Sequence, residues 1–111
     1  MARAALAALL VLAGCGPAPS LTANIDVEEA RRLTEQSRKL GYITDFTCLG
    51  NEASVTPQFW NTVSAKSKQG VVLSLAKLCD AENSGNRMTV KDSQSGKTLA
   101  SYDGGLKVTF H

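Results

Sequence analysis

The stretch Ala4–Ala13 is what most limits the rest of this chain. It is a run of ten uncharged, Ala/Leu-rich residues behind Met1-Ala2-Arg3, and Gly16-Pro17-Ala18-Pro19-Ser20 follows closely. As a helix the run would rise about 15 Å, half the roughly 30 Å hydrocarbon core of a bilayer, so it is too short to span one. The Pro-containing stretch cannot continue a helix or bury much surface. Neither piece suits a core, which leaves residues 26–111 to fold. So short a chain supports one small core, and a single domain is expected.

A positive start, a short apolar stretch and small residues before Cys15 form the secretory pattern. The run Leu12-Ala13-Gly14-Cys15 resembles the lipobox of type II signal peptides in bacterial lipoproteins. That resemblance implies cleavage before Cys15 and a diacylglyceryl group on its thiol, usually with a third acyl chain on the new N-terminus. It divides the chain into a signal peptide at 1–14, a lipid-anchored tether at 15–25 and a domain at 26–111. A diacylglyceryl group supplies more buried methylene than one myristoyl chain, which anchors only marginally at about 0.8 kcal/mol per CH₂. The expected partner is therefore a membrane. Gly16 stands where an Asp would signal inner-membrane retention in enterobacterial lipoproteins, so the expected address is the periplasmic face of the outer membrane.

With Cys15 assigned to lipid, Cys48 and Cys79 remain as an even pair in a disulfide-permitting compartment. A bridge between them is expected; buried free thiols or a metal or redox site are the alternatives. A metal site lacks ligands, since there is no C-x-x-C and the one histidine is His111. No metal and no cofactor other than the covalent lipid is expected.

Without Arg3, eleven Lys and Arg oppose ten Asp and Glu, with no block of like charge. Nucleic acid is not an expected partner, because its affinity depends on a clustered basic face.

Periodicity gives the elements. Asp26 with Glu29 three residues on reads as a capping box. Val27, Ala30, Leu33 and Leu40 then recur at helical spacing with Ser37 in the same stripe, and Gly41 supplies the stop. A helix over about 26–40 follows. Tyr42–Leu49 reads as a strand ended by Gly50-Asn51. Thr56-Pro57 starts a second helical segment, with Trp60, Val63, Val71, Leu75 and Leu78 on one side. Its stripe is interrupted from Ser64 to Gln69, and Gly70 costs up to about 1 kcal/mol in a helix, so a kink or two abutting helices is expected. Arg87–Lys91, Thr98–Tyr102 and the alternation of Leu106, Val108 and Phe110 read as three strands. They are joined by the turn Asp92–Gly96 and a tight hairpin at Asp103-Gly104-Gly105. The expected fold class is α+β in the order α-β-α-β-β-β, with helices on one face of an antiparallel sheet and one disulfide.

Motifs for catalysis are weak. Ser74-Leu75-Ala76-Lys77 fits S-x-x-K but lacks its companion motifs, and Ser95-Gly96-Lys97-Thr98 sits in a turn without the leading glycine of a phosphate loop. One histidine does not make a Ser/His/Asp set. Asp45 with Glu52, or Asp80 with Glu82, are carboxylates that could pair, and no catalytic residue is assigned.

For binding, Phe59 and Trp60 stand out. Neighbours on a helix point about 100° apart, so the two are not expected to be buried equally. Trp60 is the expected core anchor with Phe59 capping the bottom of the sheet, and the alternative is that one of them helps form a partner-binding patch. The outer side of the last strand is a second candidate, as an edge that can accept another strand. The expected function is a non-enzymatic binding or accessory module of the envelope, in an assembly, exclusion or inhibitor-type role, with an envelope protein or glycan as partner. An envelope hydrolase acting on peptidoglycan or lipid, and a structural spacer, are the alternatives.

Overall fold

The computed structural model describes residues 20–111. The expected signal peptide, Cys15 and the expected tether up to residue 19 lie outside the described residues.

The first helix, α1 (Val27–Lys39), starts where its cap was expected, with the Asp26 carboxylate accepting the Glu29 N–H at 3.0 Å. Glu29 does not return the bond. It takes Arg32 instead, at 3.1 and 2.6 Å, and the hydrogen bond from that guanidinium, then its charge, holds the Glu29 carboxyl below its usual value. The helix ends in a Schellman arrangement: Tyr42 N–H bonds the Ser37 carbonyl, Gly41 N–H bonds the Arg38 carbonyl, and Gly41 takes φ +80°. The buried stripe differs from the expected one. Ala30 and Thr34 are buried, whereas Leu33 and Leu40 are 42 % and 58 % exposed. The helix meets its neighbour through short side chains and leaves its leucines outside.

Strand β1 (Ile43–Thr47) turns through Gly50 and Asn51 into β2 (Glu52–Val55). Two helices follow, α2 (Pro57–Thr62) and α3 (Ala65–Ala81), then β3 (Met88–Asp92), β4 (Thr98–Tyr102) and β5 (Thr109–Phe110). The result is a small α+β domain with one five-stranded sheet in the order β1-β2-β3-β4-β5.

The sheet departs from the sequence expectation at two of its strands. Strand β2 was not anticipated: it has only four residues, and its alternation rests on Ala53 and Val55 alone. It changes the sheet, because β2 joins β3 through the α2–α3 crossover, and such a connection makes that pair parallel in an otherwise antiparallel sheet. The second helical segment takes the form of two abutting helices, one of the two expected, with the break at Val63-Ser64. Val63 is extended (ψ 152°), and the Ser64 hydroxyl caps α3 by accepting the Ser67 N–H at 3.1 Å. Gly70 lies inside α3. The last strand shrinks to Thr109–Phe110, because 103–108 is a loop and not a tight hairpin. The Asp103 carboxylate accepts the Gly105 N–H, the Tyr102 hydroxyl donates to the Gly105 carbonyl, and Gly104 sits at φ +96°, where a Cβ would come 3.0 Å from the Asn86 carbonyl.

The core lies between α3 and the sheet. Leu75, Val72, Ala76 and Cys79 of the helix meet Val55, Met88, Val90 and Ala100 of the strands, all essentially without exposure. Residues 20–25 also belong to this body. Thr22 is buried, its hydroxyl donates to the Asn86 side chain at 2.8 Å, and Leu21 N–H bonds the Tyr102 hydroxyl at 3.1 Å. Strand alternation turns Glu52, Ser54, Thr89, Lys91 and Ser101 to the opposite, polar face of the sheet.

Candidate functional site

Cys48 follows β1 and Cys79 sits in the last turn of α3. Their Cα atoms are 5.2 Å apart and a disulfide joins them. The bridge ties the far end of α3 to the β1 edge, while the near end is held by the Ser64 cap and by Trp60, which precedes the break.

Between these ends, α1 and α3 do not close on one another. Thr34 and Ser37 on α1 face Ser67, Gly70, Val71, Ser74 and Leu75 on α3, and most of these side chains are small. They leave an apolar groove of about 380 Å³, bounded by Leu33 at one side and by Phe59 and Val63 of the α2 segment at another. A Cβ placed on Gly70 would meet nothing within 4 Å, which shows how open the groove is there. The interruption of the apolar stripe is therefore what makes the cavity: Ser67, Gly70 and Ser74 fall at helical spacing along one face of α3.

The two aromatic candidates separate. Trp60 is 5 % exposed, packs in the core cluster, lies 6.5 Å centroid to centroid from Phe110, and carries the Lys68 ammonium 5.4 Å from its ring. Phe59 is only partly buried, lines the groove and stacks on the exposed Tyr42 ring at 4.6 Å with an interplanar angle of 13°. Of the pair, Phe59 offers area to an incoming molecule. Leu33, Val63 and Val71, which share the groove with it, were not singled out from sequence. Their spacing places Leu33, Val63 and Val71 in helical stripes, and nothing local reveals that their neighbours across the groove are too short to cover them.

The other features carry less chemistry. The β5 edge is two residues long, and so short an edge offers little template for an added strand. Glu52 is ion-paired with Lys91 at 3.1 Å, and Asp80 and Glu82 stand exposed at the end of α3. Ser74 lines the groove, and no hydrogen bond joins it to Lys77 among the described residues. Ser95 and Gly96 form the β3–β4 turn, where the Asp92 carboxylate accepts the Gln94 and Ser95 N–H groups. One contact was not foreseen. The Ser101 hydroxyl lies 3.1 Å from His111 Nε2, an exposed pair, and among the described residues no carboxylate orients the ring. No trio of His, Cys, Asp or Glu converges as a metal site among the described residues, and none of their helices is long and apolar enough to cross a membrane.

Comparison with known proteins finds no match to a family model, a curated protein or a solved structure.

Proposed function

We propose that this chain is a bacterial lipoprotein, anchored through Cys15 on the periplasmic face of the outer membrane, whose domain binds an envelope protein non-enzymatically in the groove between α1 and α3. The observation that carries the reading is that groove: about 380 Å³, walled by Leu33, Phe59, Val63 and Val71, with Leu33 and Tyr42 exposed beside it. Apolar concavity with aromatic anchors is the usual setting of a binding hot spot. A groove between two helices suits the apolar face of a partner helix. The lining has no charged residue, which favours packing over acid-base chemistry there. The tether and the acyl chains would keep this surface close to the membrane and to partners embedded in it.

The test is site-specific photo-crosslinking in intact cells. A benzoylphenylalanine replacing Leu33 should give one discrete adduct, and the same probe at Gln94, on the distant β3–β4 turn, should give none. Introducing Gly70→Leu, which fills the groove, should abolish the Leu33 adduct. Equal labelling from both positions, or an adduct indifferent to Gly70→Leu, overturns the groove as the site. Cys15→Ser should abolish lipid labelling and release the protein from the membrane fraction; unchanged attachment overturns the anchor.

A further inference from the structure

We infer a second ligand site, remote from the groove, in the polar cleft at the end of the sheet, and assign it to an acidic saccharide. Three observations converge there. The first is registry. Thr47, Glu52, Thr89, Ser101 and Thr109 are successive cross-strand partners, so one row of polar side chains runs across all five strands on the face that carries no helix. Neighbouring strands lie about 4.8 Å apart, which repeats the polar groups at that interval. The second is shape: Thr89, Ser101 and Thr109 of this row line a cleft of about 500 Å³, completed by the Asn51 turn and the 103–108 loop.

The third observation is charge. Arg87 and Lys107 both line the cleft, and neither has an ion-pair partner among the described residues, whereas Lys91 farther up the same face is neutralised by Glu52. Asp103, the carboxylate in the lining, spends one oxygen on the Gly105 N–H. The cleft thus offers two uncommitted cations next to a row of hydroxyls, with exposed Leu106 in its lining. A carboxylate would take the cations through charge-assisted bonds, the hydroxyls of a sugar would exchange bonds with Thr89, Ser101 and Thr109, and a ring face would lie on Leu106. A nucleic acid fits less well, since the lining's one aromatic residue is Tyr102, whose ring is buried and gives bases nothing to stack on.

Titration of the full processed chain, ¹⁵N-labelled in mild detergent micelles, with three probes tests this. The probes are the disaccharide of N-acetylglucosamine and N-acetylmuramic acid, which bears a carboxylate, the neutral chitotetraose, and inorganic phosphate. Saturable shifts at Thr89, Ser101, Lys107 and Thr109 are expected with the acidic disaccharide. Arg87→Gln and Lys107→Gln, both at exposed side chains, should each weaken binding about tenfold. Chitotetraose binding as tightly removes the need for the cations, and phosphate binding as tightly makes this an anion site with no role for sugar; either result overturns the assignment. So do shifts centred on Leu33 and Val71 or the absence of saturation. Because the groove is probed by crosslinking from Leu33, failure of either site leaves the other standing.

Discussion

Cys48 and Cys79 are 31 residues apart in sequence and 5.2 Å apart at Cα, and their disulfide ties the β1 edge to the last turn of the helix that covers the sheet. Cys79 is completely buried, so the bridge also fills part of the core. Closing a loop of this length stabilises a fold by about 3–4 kcal/mol in the chain-entropy account. For a domain this small that is a large share of the total. Cys48→Ala combined with Cys79→Ala should lower the unfolding free energy by about that amount in urea titration. Peptide mapping without reductant should recover 48 and 79 in one linked fragment. A loss under about 1 kcal/mol would show that the unfolded chain gains little from being released.

Asn51 closes the β1–β2 turn with two tasks that can be separated. It holds a left-handed φ of 55°, and its buried side-chain amide donates to the Gly85 and Arg87 carbonyls at 3.1 and 2.9 Å. These bonds pin the turn to the chain entering β3, which sets the parallel register of β2 and β3 and one wall of the polar cleft. Asn51→Gly keeps the backbone but loses both bonds, at about 1 kcal/mol each. Asn51→Ala loses the bonds and adds about 1 kcal/mol of left-handed strain. Chemical denaturation should rank wild type above Gly and Gly above Ala. Equal stability of the two variants would mean that φ at this position costs nothing.

The parts of this fold written locally were legible in the sequence. Asp26 and Gly41 mark the two ends of α1, Thr56-Pro57 opens α2, and the Asp92–Gly96 turn and the alternation of Thr98–Tyr102 require no knowledge of distant residues. The Cys48–Cys79 pairing was legible too, although by elimination and not by geometry. What failed depended on partners far away in sequence. Strand β2 has two inward side chains and exists because β1 and β3 flank it. The 103–108 loop depends on Tyr102 and on the Asn86 carbonyl. The interrupted stripe from Ser64 to Gln69 announced a break in the second helical segment, and the Ser64 cap decides that it is a restart and not a kink. The groove was beyond reach for a related reason: its emptiness is a property of two facing stripes, Thr34 with Ser37 and Ser67 with Gly70 and Ser74, and no single stripe reports it.

Phe59 and Trp60 should respond very differently to truncation. Trp60→Ala removes a buried indole next to Phe110 and Lys68 and should cost about 3–5 kcal/mol, enough to leave much of the domain unfolded. Phe59→Ala removes a partly buried ring and its stack on Tyr42, at about 1–2 kcal/mol. Thermal unfolding followed by circular dichroism checks the order. The difference makes Phe59→Ala the informative variant for crosslinking from Leu33: it should weaken the adduct in a protein that is still folded. A Phe59 variant as unstable as Trp60→Ala would place that ring in the core and not in the groove wall.

Gly70 isolates the groove from the fold. In the middle of α3 a glycine costs roughly 0.5–1 kcal/mol relative to alanine, through the freedom its backbone loses on folding. Two reasons for keeping one are absent: its φ is not in the left-handed region, and an added Cβ has no atom within 4 Å to strike. Gly70→Ala should therefore stabilise the domain by about 0.5–1 kcal/mol and raise the melting temperature by about 4 °C. Calorimetry of the variant decides it; a drop in melting temperature would mean that α3 relies on the glycine for its path over the sheet. The crosslinking yield from Leu33 adds a second readout. A methyl group reaching into the space between α1 and α3 should reduce the adduct even as stability rises, and that opposite movement is expected only if the open groove serves binding at the expense of the helix.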